Sequence, residues 1–175
     1  MSDAAPNHYR ALARYNRWMN DKLYAVCAEL GDEDRKRDRG AYFASIHGTL
    51  NHLLLGDRIW LGRFKSDPSF VDGLDRRGHT LSDELYADFE ELHRERAKTD
   101  EELAAWVANL TPQSLDANLR YVRKGTTHES PLWHAVMHLF NHQTHHRGQV
   151  TTLLYQAGKD PGVTDLVAML REEAA

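Results

Sequence analysis

The sequence predicts an all-α protein, a four-helix bundle forming a single domain over residues 1–175. Three observations predict it. Apolar residues recur at helical spacing through four long segments. Prolines sit at or beyond the ends of those segments. The one stretch with an extended look, "NLRYVRKGTTHES", is short. A chain of 175 residues, 41% hydrophobic and 27% charged, has the length and balance for one hydrophobic core.

The first helix is expected over residues 7–30, with Gly31 as its C-cap. "DEDRKRDRG", residues 32–40, alternates acids with bases and reads as a solvated connection. A second helix spans residues 42–65, its apolar face built from Ile46, Leu50, Leu53, Leu54, Leu61 and Phe64, and Pro68 stops it. "VDGLDRRGHT" reads as loop. The third helix starts at Ser82, whose hydroxyl can cap it, and carries Leu85, Phe89, Leu92, Leu103 and Trp106 until "LTPQS" ends or interrupts it. The extended stretch that follows is expected to form a hairpin turning at Gly125. The fourth helix begins near Pro131 and runs to residue 157, before Gly158. A short closing helix after Pro161 takes in Leu166, Val167, Met169 and Leu170. Trp18, Trp60, Trp106 and Trp133 fall at apolar helix positions and are assigned to the core.

Composition excludes several classes of function. A net charge of −4 gives no nucleic-acid footprint. No run of about 18 apolar residues suggests a membrane span. The opening "MSDAAPNHYR" lacks the apolar region of a secretory signal. One cysteine, Cys27, rules out an internal disulfide and a cysteine-rich zinc site. A cytoplasmic location is expected. Cys27 lies in the apolar segment "LYAVCAEL" with no basic cluster beside it, so a buried, inert thiol is expected there.

The chemistry-bearing motif is "NHQTHHRGQ", residues 141–149. His142, His145 and His146 lie within five residues, and His134 and His138 extend the four-residue spacing upstream. Four residues on a helix turn about 400°, so neighbours in this ladder project to nearly one side and can share a metal ion. His134 to His146 rises roughly 18 Å, so only neighbours can pair: 134 with 138, 138 with 142, 142 with 146, or 142 with 145. "HQTHH" also overlaps the H-E-x-x-H pattern of zinc proteases, but Gln143 replaces the glutamate. A neutral amide cannot act as the general base, which excludes that reading. A third ligand must come from elsewhere. His8, His79, His93 and His128 lie in poor settings, whereas His52 sits among leucines in the second helix, with His47 as its local competitor. His145 is expected to face solvent or another helix, and His134 and His138 to be core or interface residues.

Two segments carry a resemblance. "SIHGTLNHLLLGDRIWL" and "SPLWHAVMHLFNHQTHHRGQV", with the opening "YRALARYNRWMNDKLY", resemble the DinB/YfiT-like family of damage-inducible, metal-binding proteins, a group unrelated to the DNA polymerase that shares the name. The resemblance spans nearly the whole chain. It implies a four-helix bundle whose divalent metal, nickel or zinc, is held by His52, His142 and His146. It also implies a metal-dependent transferase or hydrolase acting on a small molecule, with a low-molecular-weight thiol as a possible cofactor, and a homodimer. The alternative is a non-catalytic metal-binding or stress-response protein whose metal is structural or lies at an interface. Asn51, Asp57, Asn141 and Gln143 are the candidates to hold the distal imidazole nitrogens. Gly148 costs a helix about 1 kcal/mol against alanine, so a close helix contact is expected there. A helix–helix hydrogen bond is expected of Gln149. Metal loss is expected as pH falls toward roughly 5, because the ligands must be neutral.

Overall fold

The computed structural model describes residues 4–67 and 80–175. Four long helices dominate it: α1 (Ala4–Ala28), α3 (Ile46–Phe64), α4 (Phe89–Ala108) and α6 (Leu132–Gln156). Shorter elements are α2 (Asp32–Lys36), α5 (Pro112–Asp116), β1 (Asn118–Arg123), β2 (Thr126–Pro131) and α7 (Leu166–Glu173). The fold is helical, with one small antiparallel sheet among the described residues.

Two apolar clusters and one polar layer hold the long helices together. The first cluster joins Leu23 and Tyr24 of α1, Leu50 and Leu54 of α3, Leu92 of α4 and Leu154 of α6. The second joins Tyr9, Leu61, Leu103 and Phe140 of the same four helices. Between them in sequence, on every long helix, lie buried polar residues: Asn16 and Asn20, Asp57, Arg96 and Asp100, Gln143 and Arg147. Helices α1 and α6 meet the second cluster first, and α3 and α4 meet the first cluster first. α3 is therefore parallel to α4.

The polar layer is a connected network. Arg96 gives Asp100 two hydrogen bonds, at 3.1 and 2.9 Å, and its third nitrogen lies 2.8 Å from Asp57 as a charge contact. Asn16 and Asn20 donate to the same Asp100 carboxylate from α1. Arg147 donates to Asn16 and to Gln143, and Gln143 donates to the Leu53 carbonyl on α3. Two guanidinium and two carboxylate groups balance in charge, which is what makes their burial tolerable. Burial opposes the charge of Arg96, but Asp100 and Asp57 outweigh it and hold its pKa above the ordinary value.

The element boundaries follow local chemistry, with several departures from the sequence expectation. Gly31 does not cap α1 in a left-handed conformation; its φ of −66° and ψ of 158° make it the N-cap of α2, which forms inside the stretch expected to be a plain connection. α3 starts at Ile46 rather than residue 42, because the Ser45 hydroxyl accepts from the Gly48 amide. The third long helix starts at Phe89, capped by Asp88, not at Ser82. Residues 81–87 are held out of a helix by α3: Asn51 accepts from the Tyr86 amide and donates to the Tyr86 carbonyl, where His47 Nε2 also lies at 2.8 Å. "LTPQS" opens a new helix, α5, through a capping box between Thr111 and Ser114. Of the expected loop over residues 71–80 only Thr80 falls among the described residues, and the helix stop at Pro68 lies outside them.

The hairpin is as expected. Arg123 pairs with Thr126, leaving Lys124 and Gly125 as a two-residue turn with φ of 48° and 75°. Helix α6 ends before Gly158, whose φ of 75° lets the Lys159 amide reach the Leu154 carbonyl at 2.9 Å. Helix α7 returns to α1, burying Met169 and pairing Glu173 with Arg14. Trp133 departs from the core assignment: it is exposed at the start of α6, whereas Trp18, Trp60 and Trp106 are partly buried.

Asp100→Ala would leave Arg96 with Asp57 alone and strip two amide donors of their acceptor in the interior, a loss of about 3–5 kcal/mol in unfolding free energy. Urea denaturation followed by circular dichroism measures it. A loss below 1 kcal/mol would mean that the polar layer does not set the fold's stability.

Candidate metal centre

Helix α6 presents two pairs of side chains at four-residue spacing, offset by one position. Gln143 and Arg147 point into the polar layer and are buried. His142 and His146 project beside them toward α3, where they meet His52. One nitrogen from each of these three imidazoles lies within 4.8 Å of the others. His52 Nε2 and His142 Nε2 are 3.0 Å apart, and the ring centroids of His142 and His146 are 4.4 Å apart. With bonds of about 2.0–2.1 Å to imidazole nitrogen, adjacent ligands of one ion sit roughly 3 Å apart, the separation of the His52 and His142 nitrogens, and His146 completes a group close enough to hold an ion.

The distal nitrogens are tied down, and this decides where the lone pairs point. His52 Nδ1 lies 2.8 Å from the Leu81 carbonyl. A carbonyl only accepts, so Nδ1 carries the proton and Nε2 presents a lone pair to the cluster. His146 Nδ1 lies 2.7 Å from Gln149 Oε1, and the amide nitrogen of Gln149 faces His145 Nε2 at 3.4 Å. His146 Nε2 is thereby also left with a lone pair. Asn51, Asp57, Asn141 and Gln143, the expected partners of the distal nitrogens, do not fill that role. Asn51 holds Tyr86, Asp57 faces Arg96, Gln143 spans Leu53 and Arg147, and Asn141 is exposed. Gln149 serves its own helix rather than a neighbouring one.

Three residues that the sequence reading passed over shape the site. Phe43 stacks on His52 with ring centroids 3.8 Å apart and meets His146 edge-on at 5.4 Å. A Cβ at Gly56 would stand 3.1 Å from His142 Cε1, so this glycine makes room for the ring. A Cβ at Gly48 would collide with the Phe43 carbonyl at 2.3 Å. Both glycines lie four residues from His52, one on each side, and that spacing was the available signal. Gly148, where a close helix contact was expected, has open space instead and lines a groove of about 350 Å³ with Tyr42, His145, Gln149 and Thr152.

The remaining histidines are elsewhere. His47 is fully buried, with Nε2 on the Tyr86 carbonyl, and is structural. His145 is exposed; His134 and His138 are also exposed, against Trp133 and Trp60, and not in the core. His93 and His128 stack on Tyr24 and Tyr121, His8 meets Tyr9 edge-on, and His79 lies outside the described residues. Cys27 is fully buried, and burial pushes its thiol up to about 12, so it is inert at neutral pH.

A family model described as the DinB family matches residues 1–174. The chain belongs to the DinB family. It is also similar to Protein DinB of Bacillus subtilis (strain 168), 28% identical over 180 residues, covering 94% of this chain and 92% of that one. No solved structure matches the chain significantly. In this DinB-family chain, none of the described helices is long and apolar enough to cross a membrane.

Burial is the main reason the imidazoles resist protonation. It lowers His52 to about 4, against the Leu81 hydrogen bond that favours the charged ring, and His142 to about 3, helped by the neighbouring His146 and His52. An unfolded chain binds protons at these rings below about pH 6.5 and the folded chain does not. Their contribution to stability is therefore intact above pH 6.5 and is eroded as pH falls toward 4 and 3. Histidine NMR titration of the metal-free protein should show no protonation of His52 or His142 between pH 8 and 5. Titration of either ring near 6.5 would contradict the desolvated site.

Proposed function

We propose that His52, His142 and His146 hold one divalent transition-metal ion, nickel or zinc, within a four-helix bundle of the DinB/YfiT type. The protein then acts as a metal-dependent transferase or hydrolase on a small molecule, with a low-molecular-weight thiol as co-substrate, in the cytoplasm and as a homodimer. The observation that carries this reading is the tautomer constraint: the Leu81 carbonyl and the Gln149 side-chain oxygen hold protons at Nδ1 of His52 and His146 and leave an unshared pair at Nε2 of each, within a group of three imidazoles close enough to share an ion.

A divalent cation held by three neutral nitrogens keeps its full charge, and when bound it supplies a Lewis acid able to lower the pKa of water or of a thiol. The chain's own residues do the rest. Phe43 covers one face of His52 and keeps water from it. Gln149 orients His146 and also borders the groove, so a ligand lying there touches the residue that holds the ring. Gln149, Thr152, Gln156, Tyr42 and Arg39 are among the residues lining that groove and offer hydrogen bonds to a small molecule seated on its apolar part. Cys27 supplies no nucleophile, so thiol chemistry requires a thiol from solution.

One observation favours the non-catalytic reading, a metal-binding or stress-response protein with a structural ion: His52 and His146 are only 5% and 9% exposed. Exchange of a metal-bound water, read by water-proton relaxation on a paramagnetic substitute, separates the two.

Metal analysis of untagged protein should find one nickel or zinc ion per chain, absent in His52→Ala. Little metal in the parent chain, even after reconstitution, would remove the basis of this reading. Gly56→Val should weaken binding, measured against a competing chelator, while helical content is unchanged. Because His52 and His142 sit near 4 and 3, metal should be retained at pH 5 and lost only as pH approaches about 4. Release complete by pH 6 would contradict ligation by these rings.

A further inference from the structure

The histidine ladder of α6 does not stop at the ligand pair. His134 and His138 continue it toward the start of the helix, and both are exposed. Among the described residues neither ring makes a hydrogen bond or an ion pair; His134 lies edge-on to Trp133 at 4.0 Å and His138 edge-on to Trp60 at 5.2 Å. Residues four apart on a helix have Cβ atoms about 5–6 Å apart, within the span of two imidazoles on one ion. From His138 the ring centroids run 5.8 Å to His142 and 4.4 Å on to His146. Imidazoles thus lead from solvent to the candidate centre.

Two of the triad rings are screened on one side, while exposed His145 lies 4.8 Å from His146 at the other end of the ladder. Phe43 lies over His52 and against His146, both of which are buried. His142 is the most open of the three, and it is the one that faces His138.

We propose that His134 and His138 form a second, solvent-facing imidazole pair that captures a divalent transition-metal ion and passes it along α6 to His142. The proposal rests on the metal-binding reading of the triad for its second half, the transfer, and not for the first, the capture. The outer pair is a transit site. Partial burial first, and the Arg63 guanidinium after it, disfavour a positive charge at His138, which weakens retention without preventing contact. Holding an ion one helical turn from its destination replaces a bimolecular encounter with a local one, and that speeds loading without changing the final affinity.

Nickel(II) is the probe, because a bound paramagnetic ion quenches Trp60 and Trp133. In His142→Ala/His146→Ala, which lacks two of the three triad ligands, nickel should still bind weakly and quench tryptophan emission. Adding His134→Ala and His138→Ala should abolish that quenching. No quenching in the first variant overturns capture, whatever the triad does. In the otherwise native chain, His134→Ala/His138→Ala should load nickel several-fold more slowly in stopped flow, with the same final metal content. Equal loading rates overturn transfer. A parent chain that takes up no nickel at the triad overturns transfer together with the functional reading, while the quenching result still decides capture.

Discussion

The buried layer of Arg96, Asp100, Asp57 and Arg147 constrains everything else in the molecule. Charges buried this deeply are tolerable only with their partners in place, and those partners come from all four long helices. Each helix is thereby locked in rotation as well as in height, because a rotation that moved Arg147 or Asp57 out of register would strand a charge in the interior. On α6 the consequence is direct. Gln143 and Arg147 are held inward, so His142 and His146, one position earlier on the same helix, are held against α3. The placement of the triad is thus set by residues that make no contact with it.

Bringing three imidazoles together in a partly buried space is unfavourable unless something aligns their lone pairs and protons. Here the alignment comes from outside the cluster. A backbone carbonyl from residue 81 holds one ring, and a glutamine on the same helix holds another. The carbonyl is itself positioned by neighbouring contacts, since residues 81–87 are pinned to α3 by Asn51 and His47. The absence of any carboxylate among the three donors leaves the cluster neutral, and the ring stacked on His52 keeps it poorly solvated. Both features hold the rings neutral, the state in which an imidazole nitrogen can donate to a metal ion.

Much of this was legible from the residues alone. The long helices could be read because their apolar positions serve one continuous interior, so local period and tertiary burial agree. His142 and His146 could be read from spacing, and His52 from the oddity of an imidazole among leucines. The failures have a common cause: they depend on partners distant in sequence. Ser82 has the chemistry of a cap, but Asn51, 35 residues away from Tyr86, holds that segment extended. Asn51, Asp57 and Gln143 looked available to support the rings, yet each is committed to a partner on another element. Phe43 carries no local signal at all, and only its backbone approach to Gly48 explains why it lies over His52.

The two glycines flanking His52 have a broader implication for how such a centre can be moved or lost. Side-chain volume is missing one turn above and one turn below the histidine, and the vacated space is taken by a phenylalanine loop on one side and an imidazole on the other. The recognition information of the site is therefore partly written as absent atoms. Grafting the three histidines onto another pair of helices would transplant the donors but not the clearance they occupy. Along a lineage, a single methyl group gained at position 56 could press on the centre while every ligand remained in the sequence.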